Sequence, residues 1–172
     1  MRSVSLAILV LALGAVMLPG CDGGGAEPSL KEYYAEMVRV QVEGQQRTPS
    51  ANVNLGEIPA DTPPDELRRR LKEGLRASRG LNDAYLQDVK SIEPPGEAEA
   101  AHGELVAAIS DVNAWLDGMI AGVDGIGSLD EFEALVNRSA FLEVEQAFAE
   151  ACTELQRIAT DDGIEVDLQC TH

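Results

Sequence analysis

The chain has 172 residues, a formal net charge of −17 and only 4% aromatic residues. That length suits one domain with a core of useful size. Acidity of this magnitude argues against a surface for nucleic acid or anionic lipid headgroups, which a negative field repels.

The first element is Met1-Arg2-Ser3 followed by "VSLAILVLALGAVML", an apolar run from Val4 to Leu18 with Arg2 the sole charge before Asp22. A positive start, a short apolar stretch and small residues near a cut site predict a secretory signal peptide over residues 1–20. The run is shorter than the roughly 20 residues that a bilayer span requires. Leu18-Pro19-Gly20-Cys21 closes it. This tetrapeptide resembles the lipobox of bacterial lipoproteins, with a Leu three residues before the cysteine and a small residue just before it. Pro19 stands where that family usually has Ala, Ser, Thr or Val. The resemblance implies that the Cys21 thiol carries a diacylglyceryl group and that cleavage makes Cys21 the first residue. Two acyl chains anchor a protein stably where one does not. "DGGGAEPS" then makes residues 21–28 a flexible, solvated tether. Asp22 beside the cysteine resembles an inner-membrane retention signal of Gram-negative lipoproteins. Losing Arg2 with the signal makes the mature chain one unit more negative, so the domain is expected to stand off the membrane.

Residues 29–172 read as the folded domain. Ser29-Leu30-Lys31-Glu32 is a capping box, in which each side chain satisfies the other residue's backbone N–H. Leu30, Tyr33, Tyr34, Met37 and Gln41 follow on one helical face. The β-branched Val38, Val40 and Val42 are expected to weaken the end of that helix, and Gly44–Pro64 is the longest predicted loop. Thr62 is the predicted cap of a second helix, with Pro63 at its first position and Asp65 and Glu66 favouring its positive end. Leu67, Leu71, Leu75, Ser78, Tyr85, Val89 and Ile92 line one side of it. Arg68, Arg69, Arg70 and Lys72 spread around the helix as a solvated, ion-paired surface. Pro94-Pro95-Gly96 separates it from a third helix carrying Ala98, Ala101, Leu105, Ile109, Val112, Leu116, Met119 and Val123, with Trp115 beside that stripe as a filler of core volume. After the Gly122–Gly127 turn, Ser128 and Glu131 form a second capping box. It opens one last helix, with Leu129, Phe132, Val136, Ala140, Val144, Phe148, Cys152, Leu155 and Ala159 on a single face up to Gly163. Ile164, Val166 and Leu168 alternate as an extended tail. The predicted fold is all-α, an antiparallel bundle of three or four helices whose extended C-terminal tail is pinned by a disulfide.

That disulfide follows from cysteine counting. With Cys21 carrying lipid, Cys152 and Cys170 remain, in an exported domain where disulfides persist. Closing a loop of this length is worth about 3 kcal/mol in the chain-entropy view. The alternative is a metal site of Cys152, Cys170 and His172, which has few ligands and no paired C-x-x-C motifs. "IEPPGEAEAAHGELVAA" and "FAEACTELQRIATDDGIEVDLQC" also resemble stretches of uncharacterised helical bacterial lipoproteins. That resemblance implies a bundle on a lipid anchor and supplies no activity.

Candidate chemistry is sparse. Glu99-Ala100-Ala101-His102 has the Glu-x-x-His spacing of di-metal bundles, which need two such motifs and two further glutamates. The chain has one, so no metal is expected. His102 is expected to be partly covered at a helix start, hydrogen-bonded to a neighbour and titrating normally near neutral pH. It is also the sole plausible base, and no nucleophile elbow accompanies it. Asp111, Asp117 and Asp124 are expected to line a solvated face. Neither enzyme activity nor a cofactor is expected. The predicted role is a non-catalytic cell-envelope lipoprotein, lipid-anchored on the extracytoplasmic face of the cell membrane, binding an envelope protein and no nucleic acid. The alternative is a small-ligand or metal-ion binding bundle. Its candidate residues are His102, Glu99, Tyr85 and Trp115, together with Tyr33 and Tyr34, side chains that pair apolar bulk with a polar handle.

Overall fold

The protein is described by a computed structural model over residues 28–47, 58–59 and 61–170. The expected signal peptide, Cys21, the tether up to residue 27, most of the long loop and His172 lie outside the described residues. Within them the chain forms five α-helices, α1 (Leu30–Arg47), α2 (Pro64–Lys90), α3 (Gly96–Gly122), α4 (Leu129–Arg138) and α5 (Phe141–Asp161), with a 3-10 turn at Val123–Gly125 and no strand.

Local chemistry explains most of the boundaries. The Ser29 backbone N–H donates to Glu32 Oε2 (3.0 Å) and the Glu32 N–H donates back to Ser29 Oγ (3.3 Å), a complete capping box. Helix α1 continues to Arg47, past the valines and past Gly44, where the loop was expected to begin. Burial of Tyr33, Tyr34, Met37 and Val40 outweighs the modest propensity cost of β-branching. Helix α2 begins at Pro64, one residue later than expected, and Pro63 occupies the cap position without a side-chain bond. Thr62 instead donates its hydroxyl to the Pro59 carbonyl (2.7 Å), closing the turn before the helix. At α4 the Glu131 N–H donates to Ser128 Oγ (3.2 Å), but the Glu131 carboxylate reaches one residue further, to the Gly127 N–H (2.6 Å). Helix α5 stops at Gly163, whose φ of +71° suits glycine. There the Ile164 N–H reaches the Ala159 carbonyl (2.8 Å) and the Gly163 N–H reaches the Thr160 carbonyl (3.1 Å), the Schellman arrangement.

The single last helix expected from Ser128 onward is two helices. Ser139 is extended (φ −80°, ψ 166°) and breaks the register between α4 and α5. Its hydroxyl donates to the Val136 carbonyl (2.5 Å) and accepts the Trp115 indole N–H (2.9 Å). Serine offers the backbone this alternative to the helical bond, and the indole fixes it.

Helix α3 is central, packed against α2 on one side and α5 on the other. The apolar side chains form two clusters. One joins α1 (Tyr33, Tyr34, Met37, Val40), the end of α2 (Leu86, Val89), the first half of α3 (Leu105, Ile109), the second half of α5 (Leu155, Ala159) and Leu168 of the tail. The other joins Ile58, the start of α2 (Leu67, Leu71), the end of α3 (Met119, Val123), Ile126 and Phe132 of α4. Between them Asn82 on α2 donates to Asn113 Oδ1 (2.9 Å) and to the Ile109 carbonyl (3.0 Å). Asn113 is one of two buried polar residues among those described. Ser78, expected on the apolar side of α2, is exposed, and Gly74 is buried instead.

The basic cluster of α2 is an ion-paired surface, as its spread around the helix implied. Arg69 contacts Glu66 and Glu73 (both 2.7 Å), Arg70 shares Glu66 (2.7 Å), and Lys72 reaches Asp124 (2.5 Å). Hydrogen bonds from Arg69 and Arg70 hold the Glu66 carboxyl down to about 2. Each pair has at least one well-exposed partner, so each contributes little to stability.

Candidate functional site

Two consecutive tyrosines of α1 bring the candidate residues into one buried group. Positions i and i+1 diverge by about 100° around a helix. Tyr33 therefore turns toward α3 and Tyr34 toward α5. The Tyr33 hydroxyl lies 3.0 Å from His102 Nδ1, and the Tyr34 hydroxyl donates to the Leu155 carbonyl (2.6 Å). The Tyr33 ring meets the rings of Tyr34 and His102 edge-on, at 5.0 and 5.7 Å between centroids. Burial pushes the Tyr33 hydroxyl well above its ordinary range and the Tyr34 hydroxyl up to about 12. Both stay protonated at any physiological pH and act as locks that tie α1 to the rest of the bundle.

His102 is 7% exposed, and burial lowers its pKa from the ordinary value. The expected contact with a neighbour is present, and the expected ordinary titration is replaced by a depressed one. With Nδ1 as acceptor of the Tyr33 hydroxyl, the ring proton sits on Nε2. A second proton would place a cation among apolar side chains. The unfolded chain then binds that proton more readily than the folded one. The contribution of His102 to stability is therefore full above the unfolded value of about 6.5 and is lost as pH falls below it. Unfolding titrations across that range are expected to show stability declining toward acid, with a smaller slope in His102→Gln. Equal slopes in the two proteins would remove this role for His102.

The remaining candidates lie elsewhere. Glu99 is exposed although His102 is buried, so the Glu-x-x-His pair is split between surface and core. Tyr85 is half-buried against the first cluster, and its hydroxyl is pushed up to about 12 by burial. Trp115 packs on the second cluster, about 20 Å along α3 from His102 at the helical rise. Its ring lies 5.0 Å from that of Phe141. These four residues do not converge. A shallow opening of about 270 Å³ lies beside Tyr33, lined by Pro28, Glu32, Glu36, Ile92 and Glu93. That is just under the roughly 300–1,000 Å³ of ordinary ligand pockets. Glu32 is engaged by Ser29 and Glu36 by Arg39 (2.8 Å). No group of three or more metal-ligating side chains occurs among the described residues.

The best-built polar feature is the clamp on the C-terminal tail. Cys152 and Cys170 form a disulfide, with Cα atoms 5.3 Å apart. Gln156 on α5 donates to the Val166 carbonyl (2.6 Å) and accepts from the Leu168 N–H (2.8 Å), pairing the tail as a neighbouring strand would. Gln41 of α1 donates to the Leu168 carbonyl (3.0 Å), and Gln45 bonds Gln169 (2.9 Å). Leu168 is thereby held in the core while Ile164 and Val166 are half-buried, as their alternation implied. The glutamines were not anticipated as clamps. Gln41 stood on the apolar face of α1 by spacing, which was the one available signal.

No protein-family model matches this chain, and no curated protein or solved structure matches it. No helix among the described residues is long and apolar enough to cross a membrane.

Proposed function

We propose that this chain is a bacterial envelope lipoprotein, held to the extracytoplasmic face of the cell membrane through Cys21, whose helical bundle binds an envelope protein rather than catalysing a reaction. The observation that carries the reading is the Cys152–Cys170 disulfide. It fits an oxidising, exported compartment. It also accounts for two of three cysteines, leaving Cys21 of the lipobox-like Leu18-Pro19-Gly20-Cys21 as the odd one.

The fold suits such a role. The chain leaves the tether at Pro28, beside the turn between α2 and α3. The opposite end of the bundle, carrying the start of α2, the end of α3 and α4, lies about 40 Å away along these helices of 27 residues. The far end would thus project from the membrane, where a partner can reach it. The anchor is tested by membrane partitioning. Wild type is expected in the membrane fraction and Cys21→Ser in the soluble fraction, because removing the thiol removes both acyl chains. A Cys21→Ser protein that partitions like wild type contradicts the lipid anchor.

A further inference from the structure

The corner between α4 and α5 differs from the rest of the surface in three ways. Leu142 is 73% exposed, the one large hydrophobic side chain so exposed among the described residues. No residue of α5 from Phe141 to Glu150 is fully buried, whereas Ala151, Cys152, Leu155 and Ala159 are. Phe141 and Val144 beside Leu142 are therefore only half-covered. Finally, the charge here is predominantly acidic. Between Gly96 and Cys170 the sequence has 17 acidic residues and two arginines. Arg157 is held by Glu154 and Asp161 far along α5, and Arg138, which ends α4 at this corner, is outnumbered there by Glu143 and Glu145. Glu143, Glu145 and Glu150 take part in no salt bridge among the described residues, in contrast to the paired glutamates of α2.

We infer that this corner is a docking surface for a cationic amphipathic segment of an envelope protein, with Leu142 as the apolar anchor and Glu143 and Glu145 as its charged flank. Charge complementarity selects the occupant. A second copy would bring acidic face against acidic face, and Arg69, Arg70 and Lys72 of α2 are already held by Glu66, Glu73 and Asp124. Anionic lipid and nucleic acid are repelled by the same field. A partner with Lys or Arg around an apolar residue covers Leu142 and neutralises the glutamates together. The helix break at Ser139 sets the geometry, because α5 restarts at Phe141 with Phe141 against Trp115 and Leu142 turned outward.

Trp115 is the sole tryptophan and touches Phe141, so its fluorescence reports on this corner. The test titrates the full chain, in non-ionic detergent, with a synthetic amphipathic peptide of leucine and lysine. A saturable change in Trp115 emission is expected. Leu142→Ser is expected to weaken binding about tenfold, the effect of removing an interface anchor. An E143Q/E145Q variant should weaken it and flatten its salt dependence. E97Q/E99Q at the other end should leave it unchanged. Leu142 is exposed, so its loss leaves the fold intact. Three results each overturn the inference: no saturable change, an undiminished Leu142→Ser, or an equal loss in E97Q/E99Q. Equal binding of a leucine–glutamate peptide does so as well. The inference rests on the binding-module reading but not on the anchor. Peptide binding by a chain without lipid would sink the anchor alone, and lipid without peptide binding would sink the corner alone.

Discussion

Replacing Cys152 and Cys170 together by alanine is expected to lower the stability of the bundle by about 3 kcal/mol, the chain-entropy value for a closed loop of this size. The two positions are 18 residues apart. Reduced chains gain conformational freedom mainly in the unfolded state, so the folded helices should change little. The tail is also held by Gln156, Gln41 and Gln45. The double variant should therefore keep its helical signal and still fold cooperatively. The tail itself should loosen, with faster hydrogen exchange at the Leu168 N–H that Gln156 accepts. Denaturant unfolding of both proteins gives the stability difference. A loss below about 1 kcal/mol would mean that the glutamine clamp, not the disulfide, fixes the tail.

The second large effect is in the first apolar cluster. Leu155 is fully buried where α5 faces α1 and α3, and its carbonyl accepts the Tyr34 hydroxyl. Leu155→Ala removes the buried side chain and leaves a cavity that the surrounding helices fill only in part. A cost of about 3 kcal/mol is expected. At about 3 °C per kcal/mol for a domain of this size, melting should fall by roughly 10 °C. Leu142→Ala, one leucine earlier on the same helix, should stay within about 0.5 kcal/mol of wild type because Leu142 gains little from folding. Thermal unfolding of the two variants side by side measures the difference. Similar losses in both would contradict the assignment of core and surface on α5.

The helices themselves were legible because their signals are local. Ser29 and Glu32 are three residues apart, Gly163 takes the positive φ that ends α5, and apolar residues recur every three or four. The disulfide was legible from the count of cysteines together with the expected export signal. What the sequence hid depends on residues far apart in the chain. The break at Ser139 needs Trp115, 24 positions earlier, to donate its indole N–H to the serine hydroxyl. Without that partner the apolar stripe continues through Ala140 without interruption. The division of the core into two clusters needs Asn82 to meet Asn113, 31 positions on. Each asparagine alone reads as an ordinary polar position. The Tyr33–His102 contact spans 69 positions, so neither residue's spacing announces the other. Tyr33 and His102 both have the bulk and polar handle of ligand-binding side chains, as do Trp115 and Tyr85, and Glu99 shares the Glu-x-x-His spacing with His102. The 3.6-residue period places Glu99 on the solvent side of α3 and the length of α3 places Trp115 in the other cluster.

These contacts explain why α1 holds its place with only 18 residues against the 27 of α2 and α3. Its two tyrosine hydroxyls and two glutamine amides reach three other parts of the chain. A helix secured in this way ties Pro28, two residues before it, to the whole bundle. The corner at Leu142 is thereby set at a fixed distance and direction from Pro28.

The central claim is that Cys21 carries lipid while Cys152 and Cys170 carry each other. The intact mass of the protein extracted from its own membrane, taken under denaturing but non-reducing conditions, tests both halves at once. The expected mass is that of the chain beginning at Cys21, increased by its acyl groups and decreased by the two hydrogens lost to the disulfide, with no cysteine open to alkylation before reduction. A chain that still begins at Met1, or an unmodified Cys21 that alkylates freely, would contradict the account.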